Sequence, residues 1–258
     1  MLLTELLTHQ WLLMLLFFII AVFYSSVGFG GGSSYLAILA LTALSFTEIR
    51  SVALLCNIAV VSGNLFNYQR GKWIPWKQVI PLVSTSVPMA FLGGYLPINR
   101  SFFYLLLGTT LLLASLTMWY SGSTYSKENY NAPVKQRLVK NSLLGGFIGF
   151  LSGMVGIGGG IFLAPLLHLT RWNQPKKIAA TASLFIFVNS VSGILGQFSN
   201  QRFTLASYQH LWLIFAVVVG GWIGNSCSTK YLSSIQIKRA TAVLIALVGL
   251  KIISEYLP

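Results

Sequence analysis

The chain has 258 residues, 55% hydrophobic and only 8% charged, with a formal net charge of +13 and a mean hydropathy of +0.74. Soluble domains carry about 25% charged residues, so this composition excludes a soluble enzyme or binding domain and indicates an integral membrane protein. The acids number four, Glu5, Glu48, Glu128 and Glu255, each at or near a segment end, which argues against a metal-cation or proton-relay protein built on intramembrane carboxylates.

The chain opens with MLLTELLTHQ, without Lys or Arg and without a small-residue cleavage pattern after it. The first segment is therefore expected to stay rather than be removed as a signal peptide. Ten apolar pieces follow, at residues 11–28, 33–46, 51–67, 76–97, 101–120, 141–155, 161–170, 178–198, 207–228 and 235–256. A spanning helix needs about 20 apolar residues. The pieces beside two glycine-rich stretches are shorter, and 161–170 rises only about 15 Å at 1.5 Å per residue.

Those stretches are SSVGFGGGSSY, residues 25–35, and MVGIGGGIFLAP, residues 154–165. Each is either a break within one crossing or the tip of a hairpin, and the basic residues discriminate. As single crossings, the interrupted regions would leave nine Lys and Arg on one side and eight on the other. As hairpins, they collect 13 on one side and leave four, Arg50, Arg100, Arg202 and Lys251, on the other. Cytoplasmic loops attract Lys and Arg, so hairpins are predicted, with both termini outside the cytoplasm. The net positive charge is then a matter of topology, and no nucleic-acid partner is expected.

The chain also repeats itself. Gly28 and Gly156 are 128 residues apart, as are Gly30, Gly31 and Gly32 from Gly158, Gly159 and Gly160. SVALLCNIAVVSG from Ser51 matches TASLFIFVNSVSG from Thr181 at a spacing of 130, and Gly93-Gly94 precedes Gly220-Gly221 by 127. The polar connection SGSTYSKENYNAPVKQR, residues 121–137, joins the halves. With an odd number of full crossings per half, the second is predicted to be inverted. The expected fold is an all-α integral membrane protein of two inverted repeats, residues 1–120 and 139–258, around a cytoplasmic linker at 121–138. Each repeat is a glycine-tipped hairpin of half-helices plus three transmembrane helices. Paired interrupted segments in inverted halves mark a secondary transporter with its site where they meet.

The paired Gly-x-Gly-Gly-Gly motifs, Pro165 four residues after Ile161, and the Thr181/Ser183 stretch resemble the TauE/SafE family of membrane permeases. The resemblance covers essentially the whole chain. It implies transport of sulfite, sulfoacetate or related organosulfonates across a bacterial cytoplasmic membrane, in the export direction. The first motif departs from the pattern: it runs on as SSYLAIL, with Ala37 where the second has Pro165. A channel-like or uncoupled permease for another small oxyanion is the alternative within transport.

The glycines have a physical rationale. A helix beginning in mid-membrane exposes unpaired N–H groups and about half a positive charge, and glycine lets backbone approach an anion closely. Gly28, Gly30, Gly31, Gly32 and Ser33, with Gly156, Gly158, Gly159 and Gly160, are thus candidate anion contacts. Ser33 is also a candidate helix cap, and Ser34 adds a second hydroxyl. Gly31 and Gly159 are expected to play matching roles. Asn57 and Asn189, with Thr181 and Ser183, either donate to the same anion or tie helices together. The two asparagines do not align at the 130 spacing. Arg50, at the mouth of the third piece, reads as a solvated helix-end charge, and the double glycines as packing sites.

Cys56 and Cys227 are far apart and read as buried filler; no cofactor or metal site is expected. Ser33, Ser34, His168 and His210 make no compact nucleophile–base arrangement, so the chain is not expected to be an enzyme. Its partners are the anion and membrane lipid, with homo-oligomerisation left open.

Overall fold

The computed structural model describes residues 10–26, 28–42, 44–120, 134–170, 172–201, 209–227 and 234–256. They form α1 (Gln10–Ser26), α2 (Gly32–Leu39), α3 (Phe46–Arg70), α4 (Trp76–Tyr95), α5 (Arg100–Tyr120), α6 (Val134–Val155), α7 (Gly160–Leu169), α8 (Pro175–Ser199), α9 (Gln209–Cys227) and α10 (Ser234–Tyr256). Each apolar piece of the sequence becomes one helix. The tips of both termini and most of the polar connection, residues 121–133, lie outside the described residues.

Local signals set the boundaries. Ser45 caps α3 with a reciprocal capping box, its side chain accepting from the Glu48 amide while Glu48 reaches back to the Ser45 amide, which satisfies two orphan donors at once. Pro175 opens α8 at a position where its missing N–H costs nothing. Within α3, α5, α6 and α8, four stretches are long and apolar enough to cross a membrane: Phe46–Arg70, Arg100–Thr117, Leu138–Val155 and Pro175–Ser199. Leu143, Phe147, Phe198, Trp222 and Leu247 stand exposed on the outside of the bundle, as suits a surface against lipid.

The helices on either side of the two glycine stretches are uneven in length. α6 begins at Val134, seven residues ahead of the apolar piece that marked it, and is about 33 Å long by the helical rise. α2 and α7, with eight and ten residues, reach only about 12 and 15 Å. The extension of α6, VKQRLVK, carries three basic residues and a glutamine, to which an apolar window is blind.

Helix contacts cross between the halves and come in exchanged pairs. α4 packs on α6 as α1 packs on α9, α4 on α8 as α3 on α9, and α2 on α10 as α5 on α7, while α3·α8 and α5·α10 join corresponding helices directly. The α4–α6 seam is lined by Gly145, Gly149 and Gly153, where a methyl group would run into the carbonyls of Leu82, Ser86 and Ala90. Gly220 and Gly224 meet the Phe18 and Val22 carbonyls of α1 in the same way. Small residues at intervals of four let membrane helices approach backbone to backbone. Gly93 and Gly94 press on Phe150 O and Gly193 O, the packing role predicted for the double glycines.

Candidate functional site

α1 ends at a turn through Gly28, whose φ of +81° lets the Phe29 amide reach back to Tyr24 O at 2.9 Å and its own amide to Ser25 O at 3.0 Å. These bonds close the last turn of the helix in the left-handed C-terminal geometry that favours glycine. Gly156 closes α6 likewise, with φ of +87° and an amide bond to Ser152 O at 2.8 Å. α2 and α7 then start at N-caps Gly31 and Gly159, neither with a side-chain cap, so their first N–H groups depend on other partners.

The two loops come to α3 from opposite ends. A methyl group at Gly28 would meet Tyr68, whereas one at Gly30 or Gly32 would meet Asn57. On the second loop a methyl at Gly156 would meet Arg50, and one at Gly158 would meet Asn57. Asn57 is about 10 Å along α3 from Arg50 and about 16 Å from Tyr68 at the helical rise. Both chains therefore arrive at one buried amide.

Asn57 donates from Nδ2 to Ile157 O at 2.9 Å, and its Oδ1 has no hydrogen-bond partner. From α8, Ile186 borders Gly30, Gly158 and Gly160. The Ser190 Oγ lies 2.9 Å from the point a Gly158 methyl would occupy and Asn57 Nδ2 lies 2.8 Å from it. Ser190 Oγ and both amide atoms of the neighbouring Asn189 are buried without a partner. A buried polar group without a partner costs about 1–3 kcal/mol, so Asn57 and Ser190 beside two uncapped helix starts are equipped to receive a polar ligand.

Other predicted residues have structural duties. The Ser183 hydroxyl donates to Gly28 O, tying the first loop to α8. Thr181 bonds Lys177 O within its own helix, and Ser34 pairs with the Tyr24 hydroxyl at 2.8 Å. Ser33 is buried in the first turn of α2 and does not cap it, because the chain enters the helix through Gly31. Gly31 and Gly159 are not matched: Gly31 has φ of −91° and faces Tyr35 and Ile20, while Gly159 has φ of +81° and faces Phe185 and Ile148. Arg50 is not solvated. It is 1% exposed, and its Nη2 donates to Gly153 O at 3.0 Å, beside the second loop.

Sequence reasoning passed over Ser190, Asn64 and Gln197, all buried. A readable signal existed: Arg50, Asn57 and Asn64 recur every seven residues of α3, and Ser183, Ser190 and Gln197 every seven of α8. Among the described residues no three His, Cys, Asp or Glu side chains gather to hold a metal ion.

The family model for "Sulfite exporter TauE/SafE" matches residues 13–252. The chain belongs to the TauE/SafE family. Relatives agree with this membership. "Probable membrane transporter protein y4hK" of Sinorhizobium fredii is 31% identical over 237 residues, 92% of this chain and 95% of that protein. "Probable membrane transporter protein MJ0441" of Methanocaldococcus jannaschii is 25% identical over 198 residues, 71% of this chain and 70% of that protein. "Probable membrane transporter protein YunE" of Bacillus subtilis is 30% identical over 112 residues, 42% of this chain and 38% of that protein. No solved structure matches the chain. Family membership and the apolar helices together make this an integral membrane transporter.

Proposed function

We propose that this chain is a secondary transporter that exports small sulfur-containing anions, such as sulfite, sulfoacetate or related organosulfonates, across the cytoplasmic membrane. It works by alternating access around a midplane site between the two glycine loops. The observation that carries the reading is their convergence on Asn57 from opposite ends of α3, beside the unpartnered Ser190. Helix starts with free N–H groups and positive dipole ends suit an oxyanion, and buried hydroxyl and amide donors supply the remaining hydrogen bonds. Opposed loops and exchanged helix contacts support two inverted halves, which rock about a fixed site.

The acids fit an anion better than a cation. Glu48 is committed to the start of α3, where its Oε2 accepts from the Ser45 amide at 2.8 Å, and Glu255 is exposed near the end of α10.

Purified protein in vesicles should move labelled sulfite or sulfoacetate without altering it, and a thermal-shift survey should rank these above sulfate and thiosulfate. Ser190→Ala should weaken the preferred anion about tenfold. Equal binding by parent and variant, with transport intact, would remove the loops from the site.

A further inference from the structure

The heptad recurrence of polar residues on α3 and α8 has a geometric consequence. The two helices run antiparallel, since Ser51 near the start of α3 donates to Gln197 near the end of α8 at 2.9 Å, while Asn57 and Ser190 share the neighbourhood of Gly158. In this register Arg50, Asn57 and Asn64 are level with Gln197, Ser190 and Ser183 in three tiers, each about 10 Å from the next by the helical rise, while Arg50 turns to Gly153 O of α6 and Asn64 to Ser25 of α1. All six residues are at most 2% exposed. The tiers extend over about 20 Å of a hydrocarbon core about 30 Å thick.

The two outer tiers share a construction, a serine bonded to an amide. At one end Ser51 pairs with Gln197, and the Gln197 amide keeps one atom, Nε2, without a partner. At the other end Ser25 lies 2.9 Å from Asn64 Oδ1 and 2.7 Å from Gly221 O, and Asn64 Nδ2 has no partner. A hydroxyl both donates and accepts, so a serine–amide pair remains bonded with the amide turned either way. Each outer amide can therefore turn its NH2 toward an anion and back without losing its serine. Apolar side chains separate the tiers: Leu54 against Gly193 on one side of the centre, and Val61 with Ile186 at Gly30 on the other.

Resting on the central site proposed above, we infer that the anion's path through the protein runs along α3, beside α8 at one end and beside α1 at the other. The Ser51–Gln197 and Ser25–Asn64 pairs are its stations on either side of that site. Each outer tier keeps one amide atom unsatisfied by the protein, and such an atom gains about 1–3 kcal/mol from a partner when buried. A path requires stations that bind weakly and in series, since an ion must be able to leave each one.

The test is single-cysteine accessibility in vesicles, in a background carrying Cys56→Ala and Cys227→Ala. Asn64→Cys, Ser190→Cys and Gln197→Cys are compared with Val52→Cys and Ala182→Cys, buried positions of the same helices off the polar rows. The probes are anionic 2-sulfonatoethyl methanethiosulfonate and its cationic trimethylammonium counterpart. We expect positions 64 and 197 to react at least tenfold faster than 52 and 182, from opposite sides of the membrane, with the anionic reagent favoured. Outer positions no faster than those references overturn the path. If they react but sulfite fails to slow labelling at 190, the path stands and the central sulfur-anion site fails. Where a variant does not fold, Ser25→Cys and Ser51→Cys report on the same stations.

Discussion

Gly158 and Gly63 show how differently one residue type behaves in this protein. Gly158 holds φ of +82° with Asn57 and Ser190 pressed against it, whereas Gly63, inside α3, has nothing within 4 Å of where a side chain would begin. A left-handed conformation costs a residue with a side chain about 1–2 kcal/mol, and a methyl at 158 also displaces the two polar groups. Gly63→Ala instead removes the conformational freedom of a helix-interior glycine, worth about 0.5–1 kcal/mol. Thermal melting should show Gly158→Ala destabilised and weak in anion binding, and Gly63→Ala slightly stabilised with binding unchanged. Gly31→Ala belongs to a third kind: its methyl strikes Tyr35 and Ile20, so stability should fall while the central groups keep their places.

At the level of helices, the α4–α6 contact depends on which face of α6 a glycine occupies. Gly149 lies against the Ser86 backbone, but Gly146 makes only ordinary contacts with Met89 and Thr85. Gly149→Leu should cost about 1–3 kcal/mol or more as overpacking forces the backbones apart, and Gly146→Ala should be near neutral; melting of both variants in detergent checks the difference. The helices themselves were largely legible in the sequence, because an apolar run of membrane length has few alternatives to a helix. The glycine loops were legible too, since four glycines in an apolar run have a helix cost to justify. The partner of each helix was not, because α1 meets α9 and α4 meets α6 through backbone contacts whose specificity resides in the absence of side chains. Arg50 was misread for a related reason: its place at a segment end suggested water, and only tertiary packing brings the Gly153 carbonyl over it.

For the whole molecule, the orientation expected from the distribution of basic residues can be tested directly. A cysteine label or reporter in the connection at residues 121–137 should be reached from the cytoplasmic side, and tags at either terminus from the other. A terminus on the same side as the connection would rule out glycine-tipped hairpins with a 13-to-4 division of Lys and Arg.

The exchanged packing also orders the protein's birth. Val22 of α1 and Gly224 of α9 touch across nearly the whole chain, and a ribosome adding about 5–20 residues per second separates their synthesis by roughly 10–40 s. Ala90 and Gly153 follow one another within roughly 3–13 s at the same rate. The α4–α6 clasp is thus available early in biogenesis, while α1 waits in the bilayer for a mate that emerges almost last, its apolar flank sheltered meanwhile by lipid or by the insertion machinery.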